Sequence, residues 1–151
     1  MKRITEFNGE KNSDSILTTV TVYNPQTRIS EDVVCLWDTG AVRTQVTQGL
    51  ASRLNLPVYK QGVKVKGLGG EYSTSIYFAD LGFKESNFEI PMPLLGISEA
   101  FREGAVDVII GMDVISLGDF HIFDEASKMT FDIDVPKLMK NISLFTNAVI
   151  Q

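Results

Sequence analysis

The residue best placed to do chemistry is Asp38, in the run Leu36-Trp37-Asp38-Thr39-Gly40-Ala41. An apolar stretch there delivers a carboxylate, a hydroxyl and a glycine in succession, and the glycine releases the chain from strand geometry. Two chemistries fit that triplet. The carboxylate can cap nearby backbone N–H groups where a strand ends, or it can move protons as a general acid or base. A three-residue match alone favours the turn. Two further segments bear on the choice: the glycine-rich Gly67-Leu68-Gly69-Gly70, and a late run, Val108-Ile109-Ile110-Gly111-Met112-Asp113-Val114-Ile115, in which an apolar stretch again stops at a glycine.

Short strands separated by turns must carry these segments. The β-branched residues of Ile16 to Tyr23 roughly alternate with polar ones, which predicts a strand. Asn24-Pro25-Gln26-Thr27 supplies a turn, and a second strand over about Glu31 to Trp37 runs straight into Asp38. Leu50, Ala51, Leu54 and Leu56 suit a short helix over 47–56 with Thr47 as its N-cap, closed by Pro57. Strands over Val63 to Lys66 and Tyr72 to Phe78 flank the Gly67 to Gly70 hairpin tip. A strand over Phe88 to Leu94 contains Pro91 and Pro93, which push it to a sheet edge.

Val106 to Ile110 is nearly continuously apolar, as in a strand buried on both faces, and Met112 to Leu117 can form a helical turn. A last hairpin is expected from Phe120 to Phe123 and Lys128 to Asp134 around residues 124–127, and the polar residues 8–15 read as a loop. The apolar tail after Pro136 can pack on its own domain or on a partner.

Taken in order, the apolar strand leading to Asp-Thr-Gly-Ala, the glycine hairpin and the late hydrophobic-hydrophobic-Gly segment resemble the retropepsin-like aspartic proteases. This single-domain family includes retroviral proteases and cellular relatives. The resemblance covers about Ile16 to Asp134, and its Gly-x-Asp segment is similar to the cellular and bacterial branch. It implies an all-β fold: a small closed barrel-like lobe with one or two short helices. It also implies a single domain over 1–151, with a core over about 16–134 and a tail over about 136–151.

The implied activity is peptide-bond hydrolysis by two carboxylates that cannot both ionise comfortably at close range and so share a proton. The chain has one Asp-Thr-Gly, so the pair requires a homodimer with Asp38 of each subunit on the two-fold axis. By the same resemblance, Thr39 braces the two loops across the axis and Gly40 lets the substrate backbone come close. Gly67, Leu68, Gly69 and Gly70 form the tip of a flap over bound peptide. Ala41 stands where pepsin-like enzymes carry a hydroxyl donor to the carboxylate, which implies activity at milder pH. Retroviral members pair acids after Asp-Thr-Gly-Ala with a late Arg; here Arg43 and Asp113 suggest a pair of reversed polarity. A different class of function also fits, a catalytically silent peptide-binding or dimerisation module, because Arg43 can hold nearby carboxylates ionised.

Composition narrows the alternatives. At 151 residues with 44% hydrophobic and 22% charged, the chain can bury a core without disulfides or metal. One cysteine, Cys35, precludes an internal disulfide and a Cys-rich zinc site, and one histidine, His121, precludes a multi-His centre within the chain. Cys35 is expected to pack on the same strand face as Trp37, and His121 to be structural. No metal or other cofactor is expected. No nucleophile elbow is present for Ser-His-Asp catalysis. The formal net charge is −5 and the 14 Lys and Arg are dispersed, which argues against nucleic acid as a partner. No run reaches membrane-spanning length and the first residues lack the apolar stretch of a secretory signal, so a cytoplasmic location is expected.

Overall fold

Alternation along Ile16–Tyr23 buries Ile16, Thr18, Val20 and Val22, and this is strand β2 of a computed structural model. The structure describes residues 2–7, 15–67, 70–83, 86–98, 106–123 and 128–141. Asn24 makes the turn that follows. Its side-chain oxygen accepts from the N–H groups of Gln26 (2.9 Å) and Thr27 (3.2 Å). Its amide donates to the carbonyls of Leu54 (3.0 Å) and Asn55 (2.9 Å), which ties the turn to the end of a helix. The chain returns as β3 (Ser30–Trp37), antiparallel to β2, with Val33, Cys35 and Trp37 inward.

Next come β4 (Gln45–Thr47) and α1 (Gln48–Arg53). As expected, Thr47 is the N-cap of α1, its hydroxyl accepting from the Leu50 N–H at 3.3 Å. β5 (Val58–Gly67) and β6 (Gly70–Phe83) form a long hairpin closed by the Gly67–Gly70 pair; Leu68 and Gly69 lie outside the described residues. β7 (Phe88–Ile97), β8 (Val108–Ile110) and α2 (Met112–Ile115) follow. The chain then forms β9 (Gly118–Phe123), β10 (Lys128–Ile133) and a last short helix, α3, over 135–141. Among the described residues three short helices are present where one or two were expected.

The strand order β2-β3-β8-β4-β7-β6 closes into a six-strand barrel, because β6 also pairs with β2, and β5 adds to the outer edge of β6. At the closing β2–β6 contact a Cβ on Gly82 would sit 2.8 Å from the ring of Tyr23, so a side chain there would require that ring to shift. β8 enters parallel to β3, and all three of its residues are buried, as its apolar run requires.

β7 departs from the edge position expected of it, since it lies between β4 and β6. Its prolines still obey the underlying rule. β4 pairs with β7 only at Leu95 to Ile97, while Pro91 and Pro93 lie where β6 is the sole paired neighbour. Two residues apart, both prolines turn their missing donors to the same side of the strand.

A second sheet, β1-β10-β9, begins with β1 (Lys2–Phe7), which the sequence did not announce as a strand. It turns Met129, Phe131 and Ile133 into the core. Trp37 joins the two sheets, stacked on Phe120 (5.5 Å between centroids) and tilted against Phe131 (5.6 Å) and Phe83 (6.2 Å). Its indole N–H donates to Thr18 Oγ1 at 3.0 Å, and the same oxygen lies 3.0 Å from the buried Cys35 sulfur. Cys35 and Trp37 thus share the inward face of β3, as their spacing predicts. The expected loop over 8–15 lies outside the described residues except for Ser15, as does the turn at 124–127. Of the tail, Leu138 is buried in the main core, so at least its first part packs on its own domain.

Candidate active site

The residue after Trp37 inherits a rigid support. The backbone N–H of Asp38 donates to the Ile110 carbonyl at 2.9 Å, extending the β3–β8 ladder by one step. Asp38 is half-buried at the mouth of the strand, and one of its carboxylate oxygens, Oδ1, accepts the Gly40 N–H at 2.8 Å. A Cβ on Gly40 would lie 3.1 Å from the same Oδ1, so a side chain there crowds the carboxylate. Ala41 N–H closes the turn on the Asp38 carbonyl at 3.2 Å. Thr39 is exposed beside it.

Beyond the turn, the chain doubles back over the start of α2. A helix leaves its first N–H groups without partners inside the helix. Here the loop supplies them: Met112 N–H donates to the Ala41 carbonyl (2.8 Å) and Asp113 N–H to the Val42 carbonyl (3.2 Å). The approach is close enough to demand glycine at 111, since a Cβ there would meet the Ala41 oxygen and the Arg43 carbonyl at 2.8 Å.

Asp113 completes the junction. Its carboxylate accepts from the Thr44 N–H at 3.0 and 2.9 Å and from the Thr44 hydroxyl at 2.6 Å. That hydroxyl also accepts the Gly111 N–H at 3.1 Å, and Thr44 is fully buried. The expected link between the loop and the late helix therefore exists, but it runs through Thr44. Among the described residues no ion pair joins Arg43 to Asp113, and Arg43 is exposed. The reason is directional: once the loop has bent back, residue 44 faces the helix start and residue 43 faces outward. Sequence reasoning missed Thr44. Its signal was a hydroxyl one residue beyond the cation, opposite the Gly-x-Asp segment.

Gly40, Ala41 and Arg43 line a cleft of about 530 Å³ whose other wall is the β5–β6 hairpin, from Lys60 to Lys66 and Ile76, with Leu95 of β7. The loop and the predicted hairpin thus face one cavity. Gly67 and Gly70 close the far end of the hairpin, and Gly70 adopts a φ of 108°, which suits glycine. His121 is exposed on β9, away from these residues in the β1-β10-β9 sheet.

The chain is similar to EIAV protease complexed with the inhibitor HBY-793, with 22% identity over 69% of this chain and 88% of that one, at a TM-score of 0.52. It is also similar to a retropepsin-like aspartic protease from Rickettsia conorii, with 13% identity over 85% of this chain and 89% of that one, at a TM-score of 0.55. No protein-family model matches, and no curated protein matches significantly. What both likenesses share with this chain is its architecture, and that architecture is the retropepsin-like aspartic protease fold.

Proposed function

We propose that the chain is an aspartic endopeptidase, hydrolysing peptide bonds with water activated by a pair of Asp38 carboxylates, one from each subunit of a homodimer. The observation that carries this reading is the setting of Asp38. A ladder bond to Ile110 fixes its backbone, the Gly40 N–H holds one carboxylate oxygen, and the loop opens onto a cleft walled by a long hairpin.

Two such carboxylates brought together keep one proton between them and titrate as a unit. The ionised member takes a proton from water as its oxygen attacks the scissile carbonyl carbon. The protonated member gives its proton to the carbonyl oxygen, forming a neutral tetrahedral diol. As the diol collapses, one of its hydroxyls returns a proton to the carboxylate that protonated the carbonyl oxygen, the C–N bond breaks, and the proton first taken from water passes to the leaving amine, which restores the singly protonated pair. No covalent enzyme intermediate is required. Thr39 braces the paired loops, Gly40 admits the peptide backbone, and Gly67, Leu68, Gly69 and Gly70 form the flap tip that excludes water.

Ala41 offers no side-chain hydroxyl to the carboxylate, which favours the protonated form and moves the activity optimum above the strongly acidic range of pepsin-like enzymes. A pH-resolved cleavage profile of a peptide library checks both points. Wild type should cleave, Asp38→Asn should fall to background while still eluting as a dimer, and an optimum as acidic as pepsin's contradicts the Ala41 argument.

One observation favours a second reading, a silent peptide-binding or dimerisation module. Arg43 lies in the same cleft with no tie to Asp113, so its charge is available to keep the paired carboxylates ionised. A dimer that binds peptides but cleaves none at any pH would decide for that module.

A further inference from the structure

Charge is unevenly divided between this cleft and the rest of the molecule. The chain as a whole is acidic, with a formal net charge of −5. The described lining of the cleft nevertheless holds Arg43, Lys60, Lys64 and Lys66 and no Asp or Glu. Arg43 comes from the loop after Asp38 and the lysines from β5, so the cations stand on both walls. Register irregularities on either side of Lys60, with Gly62 at a φ of 66°, interrupt the alternation of β5 before Val63; from Val63 to Lys66 the register is regular, so Lys64 and Lys66 project from the strand face opposite Val63 and Val65.

Among the described residues these cations are poorly compensated: the ion pair recorded for the hairpin lysines joins Lys64 to Glu71 at 3.9 Å, with side chains 79% and 49% exposed. Glu71 also faces Lys66 in the strand register. An exposed pair of that length is weak and yields to a better partner. Between the cations, Ala41, Val63, Val65, Ile76 and Leu95 supply apolar surface.

We infer that this cleft selects extended peptides in which acidic side chains lie among apolar ones close to the bond to be cut. The inference rests on the protease reading for the cut itself, and on charge complementarity for the choice of peptide. An extended chain projects alternate side chains to opposite sides. Apolar positions would settle on Val63, Val65 and Ile76, while Asp or Glu reach Arg43 on the loop and the lysines on the other face of β5. Like charges on a basic peptide meet the same cations and are rejected, so the wall discriminates by repulsion as well as attraction.

The test pairs peptides that differ only in Asp and Glu against Asn and Gln. Cleavage by wild type and anisotropy binding to Asp38→Asn are measured at about 0.05 M and about 0.5 M salt. At low salt the acidic peptide should be favoured about tenfold, as expected when several exposed charges each contribute a small share. High salt should shrink that preference, Arg43→Gln should reduce it, and the combined Lys60→Ser, Lys64→Ser and Lys66→Ser variant should abolish it.

The exposed positions of these lysines make misfolding of that variant avoidable, and circular dichroism verifies it. Equal cleavage of both peptides overturns the inference and leaves the protease reading standing. No cleavage, with acidic peptides still bound in preference and the preference lost in the lysine variant, supports the cleft's selectivity and removes the protease reading. An acidic preference unchanged in both variants, or no preference in binding or cleavage, overturns the inference.

Discussion

At the scale of single residues, the junction of Thr44 and Asp113 is where the loop bearing Asp38 is most exposed to damage. Three donor contacts from one buried residue satisfy the Asp113 carboxylate. Thr44→Val removes the hydroxyl and leaves both the carboxylate and the Gly111 N–H short of a partner. Stranding such groups costs about 1–3 kcal/mol. Urea denaturation should register that loss, with peptide cleavage falling in parallel, and Thr44→Ser should restore both. Unchanged denaturation and cleavage in Thr44→Val would show that the junction does not hold the loop.

Asp80, on β6, is not among the residues lining the cleft. Burial raises the Asp80 carboxyl above its ordinary value, while Arg28 at 2.9 Å opposes the shift. Folded Asp80 then binds its proton more tightly than in the unfolded chain, so its contribution to stability declines as pH rises from the unfolded value through the folded one. Asp80→Asn should remove this decline, making the slope of stability against pH more positive in that window. An identical slope in the variant would rule the group out as its source.

The elements show what a one-dimensional reading can and cannot reach. Strands β2, β3, β8 and β10 were legible because each alternates or stays apolar for a face it buries, and α1 because Thr47 caps it. β4 spans three residues and exists through pairing with β7 and β8, partners that no local pattern specifies. β1 is set by β10 at the other end of the chain for the same reason. Asp38 was legible because its strand, its glycine and its neighbours all point one way. The partner of Asp113 was not, since opposite charge suggests Arg43 while the direction of the returning loop selects Thr44.

Gly111 joins the two levels, being a glycine whose need is created by packing. Gly111→Ala forces a methyl against backbone at 2.8 Å and should destabilise the fold by about 1–3 kcal/mol. Thermal melting measures the loss, and a melting point equal to wild type would mean that the loop and α2 separate easily.

For the whole molecule, the closed barrel presents one Asp38 at one rim, so the proposed chemistry is a property of two chains. Specific activity should therefore drop on dilution as dimers separate, and sedimentation should find monomer over the same concentrations. Constant specific activity down to concentrations where only monomer sediments would refute the shared pair.

The parallel contact of β3 with β8 carries a consequence in time. A chain made from its N-terminus releases Asp38 from the ribosome long before Ile110, Gly111 and Asp113 emerge. Until they do, the Asp38 N–H lacks the Ile110 carbonyl and its loop has no helix to fold onto. On the protease reading, a nascent chain that stops short of Asp113 is harmless to the machinery translating it, because the cutting residue does not yet have a place to stand.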